Sequence, residues 1–265
     1  MKKALLYRRG GLGDTLLTFP ILEILKRKGY ETVAVGNTDY FIIAKEAGYA
    51  DRVYSFIPEE EFDLKVIISL DGNVKPFPEN REWIVKHYLK TLKMEEDFTK
   101  ELPIKPLQNS PLRGKVVVHP SSGSKKKNPP IEFFLKLRDF LESKGKEVVF
   151  LLGEAEENLK ETLKPNFFSL SPLEIAKHLK TAEIYIGLDS GISHLASYLG
   201  LPSFVIYGPT DPIVWKPIGN RVFQISLNLE CSPCFPEVCD ERPCLNTEEI
   251  LKRTKEMILR YWEVF

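Results

Sequence analysis

Two spacings of apolar residues alternate along the chain. Short apolar runs rich in β-branched side chains recur at Ala4–Tyr7, Thr32–Val35, Arg52–Phe56, Lys65–Leu70, Lys115–Val118, Glu147–Leu152 and Ser203–Tyr207, and another begins at Ile184. Runs of this character suit strands buried on both faces of a parallel sheet. Between them, apolar positions return every three or four residues, the mark of a helix with one inner face. Leu16, Leu17, Ile21, Leu22 and Leu25 predict a helix over Thr15–Lys28 that stops at Gly29. Further helices are predicted at Tyr40–Ala47, Arg81–Met94, Ile131–Ser143, Leu173–Lys180, Ile192–Leu199 and Thr247–Tyr261. Strand and helix in alternation define an α/β fold with parallel sheets. The rhythm stops once, at Leu102–Arg113, where Pro103, Pro106 and Pro111 interrupt any periodicity. That stretch reads as a linker. It divides the chain into residues 1–108, residues 109–246 and a closing helix within 247–265.

Composition changes this picture little but excludes some partners. The 265 residues carry 37 basic and 37 acidic side chains, 17 of each in residues 1–108. Neither half is a basic surface of the kind that binds nucleic acid. Lys2 and Lys3 precede an apolar run too short for a signal peptide, and no run is long enough to span a bilayer. The expectation is a soluble, cytoplasmic chain whose 43% hydrophobic content supports substantial cores.

The candidate chemistry sits in the polar turns between strands and helices. From Ile184 the chain passes through Asp189-Ser190-Gly191 into a helix marked by Ile192, Leu195, Ala196 and Leu199, ending at Gly200. Such a turn aims unpaired N–H groups and the positive helix end above the sheet edge. Ser190 and Gly191 would admit a phosphate oxygen, Asp189 could accept from a sugar hydroxyl, and His194 could donate to a phosphate. Equally, Asp189 or Ser190 could be an N-cap and His194 a packed histidine.

Four more turns between strand and helix carry candidate chemistry. Arg8–Asp14 (R-R-G-G-L-G-D) has glycines at neither the dinucleotide nor the phosphate-loop spacing. Gly11 and Gly13 still allow close backbone approach, with Asp14 as site carboxylate or helix cap. His119–Pro130 sets Ser121, Ser122, Gly123 and Ser124 before three lysines and a helix. That suits a diphosphate, with Lys127 the best single lysine, or else a solvated basic loop. Glu156 follows a strand, where a carboxylate binds ribose hydroxyls or merely starts an exposed helix. Gly208–Pro212 closes another strand, so four loops of the second half gather where open α/β sheets bind ligands. Cys231, Cys234, Cys239 and Cys244 fit zinc, disulfides or free thiols, with no catalytic role assigned.

R-G-G-L-G-D-T-L-L-T-F-P, H-P-S-S-G-S-K-K-K-N-P-P and G-L-D-S-G-I-S-H-L-A-S-Y-L-G-L-P together resemble glycosyltransferase family 9. These are the bacterial heptosyltransferases that build the lipopolysaccharide inner core. F-V-I-Y-G-P-T-D-P and the C-S-P-C segment are similar to the family as well. The resemblance implies a GT-B fold, two Rossmann-like parallel-sheet domains facing across a cleft. The acceptor would sit on 1–108, the sugar nucleotide on 109–246, and the last helix would cross back onto the first domain. It also implies inverting transfer of heptose from ADP-heptose to a lipid-linked saccharide, with no tightly held metal or cofactor. By position, Asp14 matches the general base, Ser121, Ser122 and Lys127 the diphosphate loop, and Asp189, Ser190, Gly191 and His194 the donor turn. Gly11, Gly13, Gly123 and Glu156, read from their own turns, complete the expected set.

The first domain is short for the family, lacking a strand-and-helix portion between Leu70 and Trp83. Two rivals are a GT-B nucleotide-sugar epimerase and a non-catalytic sugar-nucleotide-binding protein. A face for peripheral contact with the inner membrane is Trp83, Lys86, Tyr88, Lys90 and Lys93, which also reads as an ordinary amphipathic helix.

Overall fold

The computed structural model of the chain describes residues 2–234 and 239–264. Its first half holds β1 (Lys3–Arg8), α1 (Leu12–Leu16), α2 (Phe19–Arg27), β2 (Glu31–Gly36), α3 (Thr38–Glu46), β3 (Arg52–Tyr54), β4 (Leu64–Ile68) and α4 (Ile84–Thr91). The four strands pair in parallel in the order β3-β2-β1-β4. The helix predicted over Thr15–Lys28 starts earlier and is broken in two. The Thr18 hydroxyl donates to Thr15 O at 2.7 Å, and Pro20 opens the second helix, where its missing N–H costs nothing.

The second half runs β5 (Val116–His119), α5 (Ile131–Ser143), β6 (Val148–Leu152), β7 (Asn166–Phe168), α6 (Pro172–Leu179), β8 (Ile184–Leu188), α7 (Gly191–Tyr198), β9 (Ser203–Ile206), β10 (Val222–Ile225) and α8 (Thr247–Val264). Its six strands are parallel in the order β10-β9-β8-β5-β6-β7. β5, β6, β8 and β9 are buried along their whole length, as their continuous apolar runs require. β7 and β10 had no counterpart in the sequence reading; both are short, half-buried edge strands. Counted from its own first strand, this sheet has the doubly wound order 3-2-1-4-5-6. The first half has the same order and stops at 3-2-1-4. Each sheet therefore has its switch point between its first and fourth strands, β1/β4 and β5/β8.

The halves share one core. Leu12, Leu16 and Phe19 belong to a cluster with Leu195, Ala196 and Tyr198, and the Phe19 and Tyr198 rings lie 6.4 Å apart. Fully burying each such side chain contributes about 1.5–3 kcal/mol. Where α1 meets α7, two glycines remove side chains that would not fit. A Cβ on Gly191 would come within 2.8 Å of Leu12 Cβ, and one on Gly13 within 2.9 Å of His194 Cδ2.

Three expectations change. The proline-rich stretch is a packed strap, not a free linker: Leu102, Ile104 and Leu112 are buried, and Leu102 N donates to Tyr198 O at 2.6 Å. Pro punctuates it without solvating it. The last helix packs on the second half, with Ile250, Leu251 and Ile258 in the cluster of Phe133, Phe134 and Phe204, so it does not dock by this face on the first domain. On α4, Tyr88 is buried and its hydroxyl donates to Pro76 O, while Trp83 Nε1 donates to Lys216 O at 2.7 Å. The aromatic members of that stripe are therefore packing residues rather than a free membrane face.

Candidate functional site

The loops that follow β5, β6, β7, β8 and β9 meet the loop after β1 around a cavity of about 670 Å³. All twelve residues expected from the sequence line it: Gly11, Gly13, Asp14, Ser121, Ser122, Gly123, Lys127, Glu156, Asp189, Ser190, Gly191 and His194. A second cavity of about 500 Å³ lies at the other switch point, between the loops after β1 and β4. Tyr7, Arg8, Ser69, Leu70, Pro76 and Phe77 line it. Asp14 and Trp215 line both.

Asp14 is held from two sides. Its Oδ1 accepts from Arg8 Nη2 at 2.7 Å and its Oδ2 from Gly11 N at 3.0 Å. A carboxylate offers about four lone-pair directions, so this orients Asp14 and still leaves acceptor capacity. Arg8 itself is buried, and its Nε has no partner among the described residues. Asp14 thus caps α1 through Gly11 N and at the same time lines both cavities.

The wall opposite carries a helix N-terminus and a lysine. Ser190 caps α7, accepting from Ser193 N at 3.3 Å, so the helix N-terminus opens on the cavity. Lys127 Nζ donates to Asp189 O at 2.8 Å and pairs with Asp189 Oδ2 at 3.1 Å. Both side chains are mostly buried, which strengthens the pairing relative to a surface bridge. Asp189 accordingly engages lysine first, and a sugar hydroxyl would have to share it. Asn128 Oδ1 accepts from Ser122 N at 3.0 Å and closes the lysine loop. Gly123 faces open space, so its lack of a side chain answers no contact within the protein.

Burial biases two histidines here toward the neutral form. Burial pushes the His194 pKa down, against the raising pull of Asp189 and Asp14. Its Nε2 is 3.9 Å from Asp189 Oδ1, and its Nδ1 is buried with no partner among the described residues. His194 lines the cavity and packs against Gly13. Burial likewise lowers the His119 pKa, with Glu156 opposing. His119 Nδ1 lies 3.0 Å from Leu151 O, and a carbonyl can only accept, so the proton sits on Nδ1 and Nε2 is an acceptor.

Glu156 is buried rather than at an exposed helix start. Its Oε2 accepts from Gly153 N at 2.7 Å, and its Oε1 from the Ser121 hydroxyl. Ser121 thereby positions Glu156, and both face the cavity. The sequence reading missed His119, Thr210, Trp215 and the wall formed by Leu170, Pro172 and Ile175. His119 and Thr210 stood inside motifs already singled out. Thr210 Oγ1 is buried with no partner among the described residues.

The cysteine segment braces this site from behind. Cys234 N donates to Pro209 O at 2.8 Å, Ser232 Oγ to Gly208 O at 2.9 Å, and Arg242 Nη1 to Asn128 O at 3.2 Å. All four cysteines are free thiols, from exposed Cys231 to buried Cys244. Burial raises the Cys244 and Cys234 pKa values, with the neighbouring thiols adding to it. Among the described residues no cluster of His, Cys, Asp or Glu has metal-holding geometry.

Two parallel doubly wound sheets, each with a cavity at its switch point, place the chain in the GT-B class of α/β proteins. The model of the family described as glycosyltransferase family 9 (heptosyltransferase) matches residues 86–245, and the chain belongs to that family. Lipopolysaccharide heptosyltransferase 1 of Pseudomonas aeruginosa is 28% identical over 90 residues, 34% of this chain and 25% of that protein. Lipopolysaccharide heptosyltransferase 3 of Escherichia coli is 28% identical over 102 residues, 34% of this chain and 30% of that protein. The matched stretches thus span less than a third of these curated relatives. Among solved structures, the family 9 glycosyl transferase from Veillonella parvula superposes with a TM-score of 0.75 at 15% identity, covering 98% of both chains. E. coli heptosyltransferase WaaC with ADP gives 0.67 at 17% identity, covering 84% of this chain and 92% of that one. These likenesses establish the fold.

Proposed function

We propose that this protein is an inverting glycosyltransferase that moves heptose from ADP-heptose to a saccharide of the lipopolysaccharide inner core. Residues 1–108 carry the acceptor and residues 109–246 the donor. The observation that carries this reading is Asp14, one carboxylate opening on both switch-point cavities. An acceptor hydroxyl in the first-half cavity gives its proton to Asp14 as its oxygen bonds to the anomeric carbon. The bond from that carbon to the diphosphate oxygen breaks, and ADP leaves with the electron pair. Lys127 and the N–H groups at the start of α7 meet the charge that develops on the diphosphate. His119 Nε2, Thr210 and Glu156 supply acceptors and a hydroxyl for ribose and sugar. The relatives' names and the structure of WaaC with ADP support the choice of donor. A lipid-linked acceptor would bring the protein to the cytoplasmic face of the inner membrane. Among the described residues, no helix is long and apolar enough to cross a membrane.

The test is incubation with ADP-heptose and heptose-free core lipopolysaccharide. Transfer is expected, and Asp14→Asn should cut it about 10²- to 10⁴-fold with ADP affinity unchanged. Undiminished turnover in that variant removes Asp14 as base. Turnover of ADP-heptose without acceptor moves the function to epimerisation. ADP binding with no turnover leaves a binding protein.

A further inference from the structure

The two cavities share one residue from each half, and only Asp14 has been given a role. Trp215, from the second half, stands in the wall of the first-half cavity. Its place there is built. Trp215 N donates to Asp211 O at 3.0 Å, and its carbonyl accepts from the hydroxyl of buried Tyr207 at 3.1 Å. Across the cleft, Arg81 grips Asp211 with two bonds of 2.6 and 3.1 Å. Trp83 Nε1 donates to Lys216 O, and Ile84 N to Val214 O at 3.2 Å. These bonds pin the turn carrying Trp215 onto the first half. The indole then meets Phe77 edge-on, with ring centroids 6.2 Å apart. Phe77 and Leu70 are more than half exposed, extending an apolar wall toward the mouth of the cavity.

We propose that Trp215 is the acceptor-positioning and specificity-determining residue of this transferase, a platform that carries the acceptor sugar ring with one hydroxyl turned to Asp14. The inference rests on the transfer reading above. A pyranose has apolar C–H faces and a polar rim. An aromatic wall beside a fixed carboxylate holds the face by packing and leaves the rim to hydrogen-bond. The donor cavity already has its polar partners at Lys127, Ser190 and Glu156. The first-half cavity, by contrast, has an aromatic and aliphatic wall around Arg8 and Asp14. Trp215 is the point where that wall reaches the reacting carbon's side of the site.

The experiment compares wild type, Trp215→Phe and Trp215→Ala in steady-state transfer from ADP-heptose to heptose-free core lipopolysaccharide. Delipidated core saccharide is also titrated calorimetrically into the ADP-loaded protein. Trp215→Ala should raise the acceptor KM and the saccharide Kd about tenfold, while the donor KM and ADP affinity stay put. Trp215→Phe should recover most of that loss, which a purely structural role would not predict if both variants melt like wild type. A weakened donor affinity with unchanged acceptor KM would assign the indole to the donor and overturn the proposal. Equal acceptor binding by all three proteins would overturn it too. If wild type binds the saccharide but transfers nothing, a Kd that rises in Trp215→Ala still supports the platform, while the transfer reading fails. If wild type binds no core saccharide, both fall.

Discussion

The first sheet stops at the order 3-2-1-4 where the second continues to 3-2-1-4-5-6, and their cavities differ in kind. The second-half cavity draws on loops after five of its strands, β5 to β9, so it needs β6, β7 and β9 in place. The first-half cavity is lined by the loops after β1 and β4, the two strands that flank its switch point, with Trp215 added from the second half. The short first half therefore still forms a cavity at its switch point. The chemistry divides along the same line. The first half offers a part-buried ion pair, Arg8–Asp14; the second offers a lysine, hydroxyls, histidines whose pKa values burial lowers, and a helix N-terminus.

The division is sharpest at Lys127. Titration with ADP, UDP and GDP should show a preference for ADP, and Lys127→Ala should weaken all three by a common factor of roughly 10–100, since one charged hydrogen bond to the shared diphosphate is lost. Asp189 loses its ion partner in the same variant, so Asp189→Asn on that background should restore part of the loss. A loss confined to one base would show that Lys127 faces the nucleoside instead, and the assignment of the donor wall would break.

How much of this was legible beforehand depends on how local the cause is. Strands buried end to end, such as Val116–His119 and Ile184–Leu188, announce themselves, and Ile131–Ser143 has the predicted bounds. Strands β7 and β10 sit at sheet edges, half-buried, where no unbroken apolar run is needed. Amphipathicity told that α8 docks but not where, because its face is equally apolar toward either half. The cavity-lining residues were readable because each belongs to a strand-end turn with its own backbone logic. Trp215 was not, because it gains its meaning from Phe77 and Arg81, distant in sequence and joined only by folding. Gly13 and Gly191 were read as openings for a ligand. Both line the cavity, but what forbids a Cβ there is the opposite half of the protein.

That last point gives a test of the seam itself. Gly13→Ala would press a methyl onto the His194 ring at 2.9 Å, and Gly191→Ala one onto Leu12 at 2.8 Å. Overpacking of this kind typically costs about 1–3 kcal/mol. Chemical denaturation should show that loss for Gly191→Ala, where the neighbour is a backbone-proximal Cβ and Gly13 N lies 3.1 Å away. Gly13→Ala should cost less if the ring can shift. Gly123→Ala, in open space, is the control and should cost nothing measurable. Equal stability of all three would mean the halves are not locked through α1 and α7.

The smallest effect is one of pH, and it separates the seam from the second half proper. Burial holds the pKa values of His119 and His194 below the ordinary 6.5, so the native chain keeps both neutral while the unfolded chain protonates them near that value. The unfolded state then binds more protons at pH values just below 6.5, and stability must fall as pH drops through that window and be fully present above it. Each histidine adds a slope of at most about 1.4 kcal/mol per pH unit, read as denaturation midpoints between about pH 7.5 and 5.5. His194→Gln should remove one share of that slope and His119→Asn the other, each leaving the plateau above 6.5 flat. If His194→Gln leaves the slope intact, the ring is not held neutral against Gly13 and the seam is looser than its geometry indicates. A slope that vanishes with His194→Gln alone would mean that only the residue joining the two halves senses pH.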